Sequence, residues 1–243
     1  MFDAVVARKA RLSCIIDGVG KQPREDLITS AIFGTLRFLT PEARALALEA
    51  LCGHQFEGDV LIYLWPFFQG DGGGSEPDVV LEETVEGRRA YWIVEVKWGA
   101  GLGEDQAARE IRSVESGHCR RGELPKGPRH VMGYTLLGAE KKHEKAIEDL
   151  RGGYPQTPAI TVWTWKDMCD RLRSLVDTTS DTGLVAWARL AANFLAGEPQ
   201  GAVLGPWPAM TMPEACTFSF DEEFELPSIP AVPETHYDYR ESE

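Results

Sequence analysis

The apolar positions of the chain change their period several times, and each change marks the border of an element. Residues 24–38, REDLITSAIFGTLRF, set Leu27, Ile28, Ile32, Leu36 and Phe38 at near-helical spacing behind a polar first turn of Arg24, Glu25 and Asp26. That spacing predicts an amphipathic helix. A second helix is predicted over PEARALALEALC, with Thr40 as N-cap, Pro41 in the first turn and Gly53 just past the end. Residues 59–68, DVLIYLWPFF, are β-branched and aromatic and read as one strand ending in a GDGGGS loop. Pro77 to Leu81 and Ala90 to Trp98 read as two further strands, joined through a turn at Glu86-Gly87-Arg88 into a hairpin.

Beyond Gly99, Gly101 and Gly103 the period becomes helical again from about Glu104. A strand over 129–139, a charged helix over 140–153, a strand over 159–165 and helices over 166–177 and 183–196 follow. Helices, a β-meander and then alternating helices and strands predict an α/β fold, a mixed central sheet flanked by helices on both faces. From about Gly197 the composition shifts to Pro, Gly and acids, so residues 1–197 read as the folded domain and 198–243 as an acidic tail, loop-like or disordered.

The formal net charge of −13 speaks against a simple basic nucleic-acid coat. Its distribution changes that picture. From Pro213 onward nine acids stand against one base, Arg240; of 38 acids and 25 bases this leaves 29 and 24, a charge of −5, for residues 1–212. Such a body has room for a local basic surface. The five cysteines are scattered without C-x-x-C spacing, which argues for reduced thiols rather than a disulfide framework or zinc site. No run of about 18 apolar residues is present and the first residues lack a signal-peptide core, so a cytoplasmic protein without membrane contact is the expectation.

Two charges stand out in an otherwise apolar strand. The period of two in Tyr91-Trp92-Ile93-Val94-Glu95-Val96-Lys97 places Trp92, Val94 and Val96 on one face and Ile93, Glu95 and Lys97 on the other. Residues two apart in a strand lie roughly 6 to 7 Å from each other, so Glu95 and Lys97 can converge on one ligand. Across the hairpin, Asp78 brings a second carboxylate. Two carboxylates suit Mg²⁺, which is held by few protein oxygens plus substrate phosphate, and a lysine beside them suits phosphodiester hydrolysis.

Pro77-Asp78, sixteen intervening residues and Glu95-Val96-Lys97 resemble the PD-(D/E)xK motif of the restriction-endonuclease-like nuclease superfamily. The predicted element order over residues 24–165 is similar to that superfamily's core. The resemblance implies that Asp78 and Glu95 ligate Mg²⁺, with Mn²⁺ able to substitute, and that the Val96 carbonyl is a further ligand. It implies that Lys97 orients or activates the attacking water. It also points to Glu25 on the preceding helix and Gln106 on the following one as additional site residues. The implied activity is metal-dependent hydrolysis of DNA in restriction, anti-phage defence or DNA processing. A homodimer would serve a double-strand cut.

Other readings stand beside this one. The three charges also fit surface ion pairs on an edge hairpin, Glu25 fits a helix dipole and Gln106 a solvated helix position. Arg112, Arg120, Arg121, Lys126 and Arg129 are candidates for phosphate contacts, with a solvated loop as the alternative. His118 and Cys119 lack a second ligand pair at metal spacing. Trp163 and Trp165 fit either base stacking or core packing. The acidic tail fits either a protein partner or disorder, and a non-catalytic assembly subunit retaining the fold is the rival function.

Overall fold

The computed structural model describes residues 24–70, 73–103, 105–121, 124–127, 129–153 and 159–196; the expected acidic tail, 198–243, lies outside them. Helix α1 (Arg24–Leu36) buries Ile28, Ile32, Phe33 and Leu36. Helix α2 (Pro41–Cys52) begins as predicted, with the Thr40 hydroxyl accepting from the Ala43 N–H at 3.3 Å, and its end is fixed by Gly53 at φ 71°. A side chain at Gly53 would also stand 3.1 Å from the Trp163 ring, a tight contact, and the left-handed φ is what favours glycine there.

The stretch predicted as one strand over 59–68 is two strands in two sheets. β1 (Leu61–Leu64) joins the large sheet, whereas β2 (Phe67–Gly70) pairs antiparallel with β3 (Gly73–Ser75) and, on its other side, with β6 (His118–Arg121). The break falls at Trp65, whose φ of 47° turns the chain, and at Pro66, which has no N–H for a ladder. Trp65 is fully buried, and its N–H reaches the Asp78 carbonyl at 2.9 Å. The GDGGGS segment is therefore partly a strand, and His118–Arg121 is strand rather than loop. The β2–β3 pairing is local, but β2–β6 joins segments about 50 residues apart in sequence, which local pattern does not register.

The large sheet has the order β1-β4-β5-β7-β8, with β4 (Val79–Val85), β5 (Arg88–Val96), β7 (His130–Leu137) and β8 (Ala159–Trp163). β1, β4 and β5 run antiparallel to their neighbours, while β5, β7 and β8 are parallel, so the sheet is mixed. The β4–β5 hairpin turns through Glu86 and Gly87, both at positive φ, the combination that matches strand twist in a two-residue loop. Among the described residues, helices α3 (Gln106–Ser116), α4 (Glu144–Gly153), α5 (Trp165–Thr178) and α6 (Thr182–Ala196) complete a set of six.

The sheet is covered on both faces, as the alternation of β5 requires. Trp92, Val94 and Val96 pack with α1, α2, α5 and α6 in one apolar cluster. Ile93 and its neighbours Tyr134 and Leu136 pack with α3 and α4 in the other. Glu95 and Lys97 share the face of Ile93, so their charges enter the layer between the sheet and α3. Among the described residues, no helix is long and apolar enough to cross a membrane.

Candidate active site

Strand β4 begins at Val79, which pairs with Val94; one step further along that register sets Asp78 opposite Glu95. The Asp78 carboxylate oxygen Oδ2 accepts the Val96 N–H at 2.9 Å, tying the residue before β4 to the end of β5. Lys97 closes the group. Its ammonium lies 2.7 Å from Glu95 Oε1, and its own N–H reaches the Leu137 carbonyl at 2.8 Å. Glu95 and Lys97 are 3% and 6% exposed, which rules out a solvated surface ion pair on an edge hairpin.

Helix α3 supplies the rest of the wall. Gln106 Nε2 donates to Glu95 Oε1 at 2.6 Å and to Glu110 Oε1 at 2.8 Å, while its Oε1 accepts the Gly103 N–H at 3.0 Å. The Gly103 donor and the two carboxylate acceptors together fix which end of the amide carries oxygen. Tyr134 on β7 donates its hydroxyl to Glu110 Oε2 at 2.9 Å. Glu25, in the first turn of α1, accepts the Trp98 N–H at 2.8 Å and adds to the negative field on Lys97. Asp78, Glu95, Lys97, Gln106 and Glu25 thus meet at the end of β5, and the Val96 N–H is bound into the same group.

Glu110 and Tyr134 are additions that sequence reading missed. One signal existed for Glu110: it lies four residues after Gln106, on the helix stripe of Ala107, Ile111 and Val114, where an acid has no business with solvent. Tyr134 carried none, because its partner comes from another element.

Burial dominates the electrostatics. It pushes the Asp78 carboxyl well above the usual carboxylate range, reinforced by the charges of Glu95 and Glu110 and opposed by the Val96 N–H and Lys97. Burial also raises Glu95, against the charge and hydrogen bond of Lys97 and the Gln106 amide. Glu110 is pushed up to about 8 by burial and by Glu95. For Lys97, burial acts to lower the ammonium, but the charge and hydrogen bond of Glu95, with Glu25 and Asp78, hold it above the usual amine range.

Two buried carboxyls, Glu95 and Glu110, and the half-buried Asp78 face one ammonium, and one oxygen is orphaned. Among the described residues, the buried Glu95 Oε2 makes no hydrogen bond of normal geometry, although the Asp78 N–H also acts on this carboxylate. An unpaired carboxylate oxygen in a dry layer is costly, and a cation would relieve both that cost and the repulsion between Asp78 and Glu95. No set of three or more His, Cys, Asp or Glu side chains converges into a metal cage among the described residues. Mg²⁺ does not need one, since one or two carboxylates with waters and substrate phosphate suffice. The donor set fits that ion.

The expected phosphate-contacting bases do not behave alike. Arg112, Arg120 and Lys126 are exposed. Arg121 donates through Nε and Nη2 to the Trp65 carbonyl and also binds Glu76. Arg129 is turned inward: Nη1 donates to the carbonyls of Val114 and Gly117, Nη2 to that of Pro125, and the guanidinium lies 5.4 Å from the centre of the Phe68 ring. It closes the end of α3 onto the following loop, which is a structural task and not a phosphate contact. Comparison with protein-family models, with curated proteins and with solved structures finds no match to this chain.

Proposed function

We propose that this protein is a divalent-metal-dependent deoxyribonuclease of the PD-(D/E)xK type. The observation that carries the reading is the convergence of Asp78, Glu95 and Lys97 at the end of one buried strand, with Glu95 Oε2 left without a hydrogen bond of normal geometry. The antiparallel β1-β4-β5 unit, followed by α3 and the parallel strand β7, supports a restriction-endonuclease-like core. DNA processing, restriction or anti-phage defence is the setting that the motif implies.

Asp78 and Glu95 would hold Mg²⁺ or Mn²⁺, with the Val96 carbonyl as a further oxygen. The ion supplies Lewis-acid polarisation of the scissile phosphate and lowers the pKa of a bound water. The chain's own residues do the positioning. Gln106 fixes the Glu95 carboxylate, and the Val96 N–H fixes that of Asp78. Lys97, held protonated by its acidic neighbours, orients the attacking water and places positive charge beside the phosphate oxygens. Glu25 anchors the backbone just after Lys97, so the main chain is held on both sides of that residue while Glu95 holds the ammonium.

The test is incubation of purified protein with linear, circular and single-stranded DNA and with RNA, in Mg²⁺, Mn²⁺ or EDTA, beside Asp78→Ala, Glu95→Gln and Lys97→Ala. Cleavage of DNA that requires the ion and is lost in all three variants is expected. Cleavage that survives the substitutions defeats the site assignment, and inertness on every substrate with no calorimetric metal binding favours a non-catalytic subunit.

A further inference from the structure

The three parallel strands β5, β7 and β8 end at Val96, Leu137 and Trp163, and a cavity of about 470 Å³ opens just beyond those ends. Crevices outside the carboxyl ends of parallel strands are where α/β sheets bind ligands. Its volume lies within the roughly 300 to 1,000 Å³ of small-ligand pockets. Trp98 and Trp165 form one wall, their ring centres 5.1 Å apart and their planes tilted by 48°, so they present an angled aromatic surface. Lys166 and Arg173 stand on the rim, both exposed, and share the single carboxylate of Asp170. Glu140 also lines the cavity and is paired with Lys142. Asp167 also faces Lys166, so the acids and bases at the mouth balance, and the two exposed cations offer donors to a phosphate rather than a net positive field.

Of the two tryptophans singled out in the sequence, only one belongs to this wall. Trp163 is covered by Arg171, whose guanidinium lies 4.4 Å from the ring centre and donates to the carbonyls of Ala50 and Glu49. Trp165 instead opens α5 and faces Trp98. The cavity lies beside the candidate active site along the chain and not within it: Trp98 follows Lys97 directly and its N–H binds Glu25, while its ring packs on the α5 and α6 side of the sheet, opposite the face of Glu95 and Lys97.

We propose that this cleft holds one nucleotide of a single DNA strand running past the end of β5, the base on Trp98 and Trp165 and a phosphate on Lys166 and Arg173. The inference rests on the nuclease reading for its choice of substrate. Aromatic rings accept any base through its π-face, and cations beside them track the backbone without reading sequence. The cleft would therefore favour strand ends or unpaired segments over intact duplex.

The test is binding of a fluorescently labelled single-stranded oligonucleotide by anisotropy, in EDTA so that no cleavage intervenes. Trp165→Ala is expected to weaken binding about tenfold. Trp165→Phe should restore most of it, and the exposed pair Lys166→Ala/Arg173→Ala should weaken it while flattening its dependence on salt. Wild-type affinity in both Trp165→Ala and the double variant overturns the proposal, as does equal weakening in Trp165→Ala and Trp165→Phe, or no binding by the wild type. Metal-dependent cleavage with binding indifferent to these residues removes the cleft but keeps the nuclease. Binding that depends on them in a protein inert toward DNA does the reverse.

Discussion

Gln106 on α3 donates to Glu95 on β5 across 2.6 Å, and its other contacts leave the amide no freedom to turn away. A helix thereby orients a strand's carboxylate. Removing the amide in Gln106→Ala should slow DNA cleavage by about 10- to 100-fold, the usual cost of losing a partner of a metal ligand. Single-turnover rates across a Mg²⁺ titration would show it, and an unchanged rate at every concentration would show that Gln106 is only packing.

Glu110 makes stability depend on pH. Its folded-state value, about 8, lies above its ordinary 4.5, so between those values the folded chain binds more protons than the unfolded one. Stability then falls as pH rises from about 4.5 through about 8, by an amount on the order of a few kcal/mol, and Asp78 and Glu95 act in the same direction. Thermal melts in metal-free buffer should give a higher Tm at pH 5.5 than at pH 8.5, and Glu110→Gln should flatten that slope.

A divalent ion should reverse part of that trend. Ligands must be deprotonated to bind it, so Mn²⁺ is expected to raise Tm more at pH 8 than at pH 6. At 100 times its dissociation constant the gain is about 2.7 kcal/mol. Asp78→Ala and Glu95→Ala should each abolish the shift, as read by differential scanning calorimetry with and without the ion.

Gly138 guards the position of Lys97. It adopts φ 75°, and a side chain there would stand 2.1 Å from the Lys97 carbonyl. Gly138→Ala forces the two strand ends apart and should cost at least about 2 kcal/mol together with most of the cleavage activity. Urea denaturation and a cleavage assay on the same sample would test both halves.

Arg129 should matter to folding and not to DNA affinity. Arg129→Ala frees three carbonyls and is expected to lower stability by about 2 to 4 kcal/mol. Where the variant remains folded, its affinity for DNA should match the wild type at equal salt, whereas Arg120→Ala, at an exposed position, should bind more weakly.

Local chemistry in the sequence already determined much of this protein. The Thr40 and Gly53 caps set the ends of α2, and Glu86-Gly87 set the hairpin. The alternation from Tyr91 to Lys97 put Glu95 and Lys97 on one face, because a strand's period leaves no other arrangement. What that face meets was decided only by tertiary structure. Residues 61–70 divide between two sheets because β2 finds its partner 50 residues away, and Arg129 turns inward because the carbonyls at the end of α3 need donors. Glu110 and Tyr134 join the site because α3 and β7 pack on the same face of β5. Each of those choices depends on which segment lies opposite in space, and a pattern along the chain carries no record of that.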